Sequence, residues 1–166
     1  MIALHEFNHL SHEKALALIH PCVALPGWAD ALALGRPYAS REELFDTANA
    51  LTQNWDEAAL AQALSAHPRI GEKPAGSQAE AALSRQEQGA VNEGDAALAR
   101  ALREGNARYE ARFGRVFLIR AKGRSGEEIL QALHARLENS DAQEVRAALE
   151  QLREITLLRL EGVISE

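Results

Sequence analysis

Apolar residues recur at intervals of three and four along most of the chain, and this spacing predicts amphipathic α-helices. Alanine and leucine, which favour helices, are abundant, whereas the β-branched residues typical of strands are sparse. No β-sheet is therefore expected. The pattern predicts an all-α protein of about six to eight helices, folded as a single compact domain over residues 1–166.

Polar residues that can cap free backbone N–H groups mark the starts of several predicted helices. In a capping box, a serine and a glutamate or glutamine three residues later accept hydrogen bonds from each other's backbone N–H groups. This spacing occurs at Ser40 with Glu43, Ser125 with Glu128, and Ser140 with Gln143, and simpler caps are predicted at Asp56 and Ser77. The serine of the third box is expected to open the last and longest helix.

Helix signals are missing from four segments, at about residues 21–27, 35–39, 68–76 and 114–123. In the last of these, residues 115–119 form a short, largely apolar run flanked by glycines. This run is expected to be a lone extended segment that covers the core. Its backbone N–H groups would then be available to a ligand.

His67 stands directly before Pro68, and a proline disfavours helical geometry in the residue that precedes it. A helix is therefore expected to run up to Ala66 and to leave the imidazole of His67 free to face a cavity. Histidine is suited to acid–base chemistry because its pKa lies near neutral pH.

Ser84, Glu87 and Gln88 fall at positions i, i+3 and i+4 of a helix predicted over about residues 78–91, so they project from one face. Together with His67 they predict a small catalytic pocket. The alternative is a solvated polar face, which is common on surface helices.

Arg159 lies in an apolar stripe of the predicted last helix. Residues spaced by three and four along this helix are Leu149, Leu152, Ile155, Thr156, Arg159 and Val163. Such a stripe should face the core, and a buried guanidinium must be paired because it cannot shed its charge. The partner could be a structural carboxylate or a substrate anion, with a side chain that reaches out to water as a third option.

The chain has 166 residues, is 46% hydrophobic and carries a net charge of −6 without a basic run. Nucleic acids and acidic membrane surfaces bind to clusters of basic residues, which this sequence lacks, so neither is expected as a partner. Cys22 is the single cysteine, which excludes an internal disulfide framework and predicts a small buried apolar residue in a reducing compartment. Neither terminus resembles a targeting signal, and a cytoplasmic protein is expected.

The N-terminal residues His5 and His9 match the H-E-x-x-H pattern of zinc hydrolases, in which two histidines on one helix bind the metal. A zinc hydrolase is a weak alternative, because Asn8 or Ser11 is expected to start the helix and to separate the two histidines. No metal site is expected.

A resemblance to a known family rests on residues spread over the whole chain. They are Asn8 to Ser11, Cys22, Trp28, Arg36 to Tyr38, His67 to Gly71, Ser84, Glu87, Gln88, Asn106, Tyr109, Phe113, Gly114, Phe117 and Ile155 to Leu160. With these residues the chain resembles the 2-oxo-4-hydroxy-4-carboxy-5-ureidoimidazoline (OHCU) decarboxylases of the pathway from uric acid to allantoin. The most specific motifs are His-Pro-x-x-Gly at 67–71 and Ser-x-x-Glu-Gln at 84–88 at their mutual spacing.

The resemblance implies a compact all-α enzyme, a homodimer in many members, that needs neither a metal nor an organic cofactor. Its substrate would be the small ureidoimidazoline OHCU, and its products (S)-allantoin and carbon dioxide. The chain ends at Glu166 without the peroxisomal address that eukaryotic members often carry, so a bacterial, cytoplasmic member is expected.

In such a reaction we expect a role for each site residue, and the resemblance adds the backbone N–H groups near Leu118 and Ile119, with Pro68 and Phe117 as apolar walls. His67 would be the acid and base, and Glu87 would orient it and raise its basicity. Residues expected to bind the substrate are Pro68, Ser84, Gln88, Phe117, Leu118, Ile119 and Arg159. The alternative from another class of protein is a non-catalytic helical interaction module in which His67 and Arg159 are core polar groups.

Overall fold

The computed structural model describes residues 1–67, 69, 70, 83, 87 and 95–166. The α-helices within these residues, numbered in chain order, are α1 (Leu4–His9), α2 (His12–Ile19), α3 (Pro26–Leu34), α4 (Arg41–Thr52), α5 (Glu57–Leu64), α6 (Ala96–Phe113), α7 (Gly126–Arg136) and α8 (Asp141–Glu161). A 3₁₀ turn, His20–Cys22, follows α2. These helices confirm the predicted fold class. None of those eight is long and apolar enough to cross a membrane.

The two ends of the chain pair as a parallel ribbon, which corrects the expectation that no sheet forms. Strand β1 (Ile2–Ala3) lies beside β2 (Ile164–Ser165), with Ile2 opposite Ile164. Each strand has two residues, too few to show the alternating pattern by which a strand is predicted. Because the pairing joins residues at opposite ends of the sequence, no local pattern could predict it.

The chain forms two compact units. Unit 1 comprises Met1–Ala63 and Arg153–Glu166, and unit 2 comprises Leu64–Leu152. In unit 1, α3 packs against both α2 and α4. Side chains of unit 1 with no exposed surface include Phe7, Ile19, Leu32, Leu44 and Leu60.

Several residues that carry the family resemblance hold unit 1 together. The guanidinium of Arg36 donates to the carbonyl oxygens of Phe7 and Leu10 at 2.8 and 2.7 Å, and so ties the end of α1 to the end of α3. Asn8 and the backbone of Tyr38 exchange two hydrogen bonds of 2.9 Å. These contacts satisfy backbone groups that a helix end leaves free.

The core of unit 2 lies between α6 and α7, which pack against each other. A side chain at Gly105 of α6 would collide with Leu133 of α7, so the glycine permits this close approach. The ring of Tyr109 contacts Phe113 and Phe117, with centroids 4.8 and 5.2 Å apart. Aromatic pairs at such distances contribute about 0.5–1.5 kcal/mol each beyond the area that they bury.

The predicted caps explain where four helices start, namely α4, α5, α7 and α8. Ser125 with Glu128 forms a complete capping box at α7, and Ser140 exchanges both hydrogen bonds with Gln143 at α8. At α4, Ser40 caps as predicted, but the Glu43 carboxylate accepts from the N–H of Ala39 instead of Ser40, so this box is incomplete. Asp56 caps α5 through the N–H of Ala59, and Ser77 lies outside the described residues.

Candidate active site

His67 lies just after the end of α5, on an irregular segment. The helix ends at Leu64, so the prediction that it continues to Ala66 is wrong by two residues. The N–H of His67 donates to the carbonyl oxygen of Leu64 at 3.1 Å, an i to i−3 bond that tightens the final turn and ends the α-helical pattern early. The half-buried imidazole is thereby carried on irregular backbone at the end of a helix.

The two described residues that follow His67 most closely, Arg69 and Ile70, are fastened to α6. The Arg69 guanidinium makes two parallel bonds to the carboxylate of Glu110, at 2.8 and 2.9 Å. The side-chain amide of the buried Asn106 donates to the carbonyl oxygen of Ile70 at 3.0 Å. The Asn106 bond holds the backbone three residues after His67, and the ion pair of the exposed Arg69 joins the same segment to α6 through side chains.

The sequence pattern did not single out these anchors. Asn106 and Glu110 are spaced i, i+4, which places them on one face of α6 and is a usable signal for a shared contact. Their partners lie 36 and 41 residues away along the chain, so local spacing could not identify them.

Glu87 is helical and half-buried, in agreement with the helix predicted around it. Its proposed neighbours Ser84 and Gln88, and the wall residue Pro68, lie outside the described residues. The predicted helix over residues 78–91 is likewise described only at Leu83 and Glu87.

Phe117, Leu118 and Ile119 form a buried irregular segment between Gly114 and Gly123, as the sequence predicted. Both glycines have positive φ, of 71° and 82°, which glycine adopts without strain. Within the part of the chain that the structure describes, no acceptor bonds to the N–H of Leu118 or Ile119. Buried N–H groups of this kind are rare and suit a ligand.

Ile70, which precedes α6, and Phe117 and Ile119, which follow it, contribute to one hydrophobic core. Ile70 belongs to the same hydrophobic cluster as Phe117 and Ile119. The side chains of the segment after His67 and of the predicted substrate-binding segment 117–119 therefore pack into one cluster of unit 2.

A buried ion pair supports residues 117–118. Arg136, the last residue of α7, forms hydrogen bonds to the Glu144 carboxylate and donates a further bond to the carbonyl oxygen of Leu118. Its guanidinium also lies over the ring of Phe117, 4.5 Å from the centroid. Tyr109 also donates to Glu144, and burial together with that bond raises the pKa of its phenol.

Arg159 is buried, as the apolar stripe on α8 predicts, with 3% of its surface exposed. The option of a side chain that reaches out to water is therefore wrong. Its Nη1 donates to the carbonyl oxygens of Pro21 and Cys22 at 3.5 and 3.4 Å. Arg159 belongs to unit 1, whereas His67, Glu87 and residues 117–119 belong to unit 2.

His5 and His9 lie on one helix, α1, which corrects the expectation that a helix start separates them. Ser11 does cap a helix, but it caps α2, because α1 ends before it. The Nδ1 of His9 donates to the carbonyl oxygen of His5 at 2.8 Å, so this ring nitrogen is engaged with the backbone. Among the described residues, no three His, Cys, Asp or Glu side chains are grouped as metal ligands.

Comparisons with known proteins agree with the motifs. A family model described as OHCU decarboxylase matches residues 8–161. The 2-oxo-4-hydroxy-4-carboxy-5-ureidoimidazoline decarboxylase of Amia calva is 32% identical, with 97% of this chain and 94% of that protein aligned. The uric acid degradation bifunctional protein TTL of Arabidopsis thaliana is 31% identical over 87% of this chain, which spans 46% of that longer protein.

A solved structure has the same fold. The crystal structure of an OHCU decarboxylase determined in the presence of (S)-allantoin superposes with a TM-score of 0.70 and 27% sequence identity. The match covers 92% of this chain and 97% of that one. Sequence and fold agree over nearly the whole length, and the chain belongs to the OHCU decarboxylase family.

Proposed function

We propose that His67 and Glu87 carry out the reaction of this enzyme, the decarboxylation of OHCU in uric acid degradation. In this proposal His67 is the general acid and base. Glu87 orients the imidazole and raises its basicity by hydrogen bonding. Acid–base assistance of this kind accelerates a reaction about 10²- to 10⁴-fold.

The reaction needs no external electron acceptor. When the C–C bond to the carboxylate breaks, carbon dioxide leaves and the electron pair moves into the adjoining C=N bond of the ring. The carbon that loses carbon dioxide also carries a hydroxyl group, so loss of carbon dioxide leaves an enol. As this hydroxyl gives up its proton and becomes the ring carbonyl, a proton adds to the neighbouring carbon that bears the ureido group, and delivery to one face gives (S)-allantoin. A single imidazole held on one side of the ring can impose that choice of face.

The observation that best supports this proposal is the anchoring of the backbone after His67. Asn106 and Glu110 fasten Ile70 and Arg69 to α6, and Ile70 shares its hydrophobic cluster with Phe117 and Ile119. A proton donor on a fixed backbone can hold the short distance to carbon that transfer requires.

The remaining predicted residues have roles in binding. Arg159 would grip an anionic or polar edge of the substrate, where a guanidinium makes two parallel bonds. Ser84 and Gln88 would contact the ring and ureido amides, and the N–H groups of Leu118 and Ile119 would bind a substrate oxygen. Pro68 and Phe117 would form apolar walls.

We also propose that the enzyme acts as a homodimer in the cytoplasm. The resemblance to the family supports the dimer, and the single buried thiol of Cys22 is consistent with a reducing compartment. Sedimentation equilibrium of the purified protein would test the dimer, and a monomer over the whole working concentration range would contradict it.

The decisive experiment supplies freshly generated OHCU and follows the optical activity of the allantoin formed. Spontaneous decay gives a racemate, so the enantiomeric excess isolates the contribution of the enzyme. His67→Asn and Glu87→Gln should each lose most of this excess while their circular dichroism stays native. His134→Asn, on the exposed face of α7, is the matched control and should retain it.

Wild-type enantiomeric excess in His67→Asn would remove His67 from the chemistry. Racemic product from the wild-type protein itself would contradict the whole proposal.

A further inference from the structure

Unit 2 contains a buried ion pair to which the predicted mechanism gives no role. Glu144, near the start of α8, has no exposed surface, and the side chain of Arg136 is 11% exposed. The Nε of Arg136 lies 3.0 Å from both carboxylate oxygens. Tyr109 and Asn139 also donate to Glu144, so the carboxylate accepts bonds from three side chains.

The same arginine reaches the predicted substrate-binding segment. Its Nη1 donates to the carbonyl oxygen of Leu118, and its guanidinium covers the ring of Phe117 at 4.5 Å. Tyr109 contacts the same ring edge-on, with centroids 5.2 Å apart. Members of the ion-pair network thus touch both residues that precede Ile119.

Residues 117–119 have no strand or helix of their own to hold them. Arg120, the next residue, is tied by its N–H to the side chain of Gln151 at 2.8 Å. The orientation of the peptide groups at Leu118 and Ile119 therefore depends on side-chain contacts at both ends of the segment.

A buried ion pair is a poor source of stability, since desolvation of two charges offsets their attraction. Well-packed apolar residues at these positions would stabilise the core about as well. What an apolar pair could not do is grip the Leu118 carbonyl in one orientation. The network is therefore better explained by the geometry that it imposes than by the stability that it adds.

We propose that Arg136, held in place by Glu144 and Tyr109, is a positioning residue that aims the N–H groups of Leu118 and Ile119 at the substrate. This inference rests on the proposed function, in which those two N–H groups bind a substrate oxygen. The peptide plane that contains the Leu118 carbonyl also contains the N–H of Ile119, so a bond to that carbonyl fixes the direction of this N–H. The N–H of Leu118 lies in the preceding peptide plane, and the contact of the guanidinium with the Phe117 ring restrains the residue on the other side of that plane.

The test uses Arg136→Lys, which keeps the charge beside Glu144 but cannot extend a planar fork to both Glu144 and Leu118. KM should rise roughly 10- to 100-fold, in line with the cost of misplaced binding groups. The pH profile of kcat should be unchanged, because His67 is untouched. A merely structural role predicts a lower Tm with unchanged KM, and that result would overturn the inference.

Arg112→Lys is the matched control. Arg112 also donates to a backbone carbonyl, that of Asn139 at 2.7 Å, and lies 4.9 Å from the centroid of the Phe113 ring. It contacts neither Leu118 nor Ile119 through these bonds, so its replacement should leave KM unchanged. An equal rise in KM in both variants would show a general loss of packing and would overturn the positioning role.

Amide hydrogen exchange separates this inference from the proposed function. In the wild-type protein, (S)-allantoin should slow exchange at Leu118 and Ile119, and Arg136→Lys should lose that protection. No protection in the wild type would contradict the proposed binding role of the two N–H groups. Protection that persists in Arg136→Lys would contradict the inference alone.

If Arg136→Lys does not fold, Tyr109→Phe gives the same readings. This variant removes a donor to Glu144 while it keeps the ring against Phe117. A smaller rise in KM is expected, with some loss of Tm because Glu144 loses a buried donor. An unchanged KM would overturn the inference.

Discussion

A guanidinium that is only 3% exposed, such as that of Arg159, cannot lose its charge, so its surroundings must replace the hydrogen bonds of water. The carbonyl oxygens of Pro21 and Cys22 supply part of this replacement. Both bonds are long, at 3.5 and 3.4 Å, and a neutral carbonyl does not balance a full positive charge.

Arg159→Lys should raise KM roughly 10-fold, because a hydrogen bond to a charged group is worth about 1.5–3 kcal/mol and lysine cannot make two parallel bonds. Steady-state kinetics with fresh OHCU measure the change. Arg153→Lys is the control, since Arg153 also lies on α8 and donates to a carbonyl, that of Thr52 at 3.3 Å. Unchanged KM in Arg159→Lys, together with a lower Tm, would assign it a structural role.

Both tyrosines of the chain are weaker acids than an ordinary phenol, because the fold raises the pKa of each. Burial is the main cause that raises the pKa of Tyr38, and the negative charge of Glu43 adds to it. Burial also raises the pKa of Tyr109, with a further contribution from its bond to Glu144. Neither phenol of the folded protein should ionise at its ordinary value of 10.0.

This difference predicts how stability depends on alkaline pH. Above pH 10.0 the unfolded chain loses phenol protons that the folded protein keeps, so the stability contributed by both tyrosines is present below that pH and declines as the pH rises. Absorbance of the phenolate should increase at higher pH in native than in denatured protein. Tyr109→Phe should make the loss of stability less steep, and identical titrations in both states would contradict the prediction.

Single residues differ in how well the sequence predicted them. The burial of Arg159 could be predicted because it follows from a stripe on one helix. The anchors Arg69 and Asn106 could not, because each depends on a partner more than thirty residues away. The contacts of Arg136 could not be predicted either, because they depend on where residues 117–118 lie in the fold.

At the scale of elements, the helix starts depend on a few polar side chains. The box of Ser125 and Glu128 satisfies two backbone donors at the start of α7, and the Ser125 backbone and side chain lower the pKa of Glu128. That stabilisation is present above the ordinary pKa of 4.5 and is lost as the pH falls through the lowered value.

Ser125→Ala should lower the free energy of unfolding by about 1 kcal/mol, the usual cost of a lost N-cap. Urea unfolding measures it. Ser125→Asn is the control and should stay close to wild type, because asparagine caps as well as serine. An equal loss of unfolding free energy in both variants would contradict the prediction, because asparagine should restore the capping hydrogen bond.

Helix starts were predicted better than helix ends. The start of a helix is marked by a capping side chain, as at Ser125 and Ser140. The end of α5 at Leu64 results from a tightened turn, which no particular residue type predicts. The ribbon of β1 and β2 was missed because two-residue strands carry no periodicity.

At the scale of the molecule, the sequence indicated one compact domain, and that remains a prediction. The structure divides into two units, of which unit 1 is assembled from both ends of the chain. Periodicity along a sequence reports the buried face of each helix, but not which distant helices share a core. The division could therefore not be predicted from the pattern.

A chelator should leave both kcat and KM of the whole enzyme unchanged. The C=N bond of the substrate can accept the electron pair itself, and the family resemblance implies no metal. Elemental analysis of the purified protein is the control, since it would detect zinc bound at His5 and His9. Activity that a chelator removes and zinc restores would contradict the proposed chemistry.

Cys22 provides an internal reporter of opening motions in unit 1. It is the single thiol of the chain, it is 1% exposed, and its carbonyl accepts a bond from Arg159. A thiol-specific reagent can modify it only when the surrounding structure opens, so the labelling rate follows the local opening equilibrium. A ligand that engages Arg159 should slow the labelling, which turns one unmodified side chain into a binding assay without engineering.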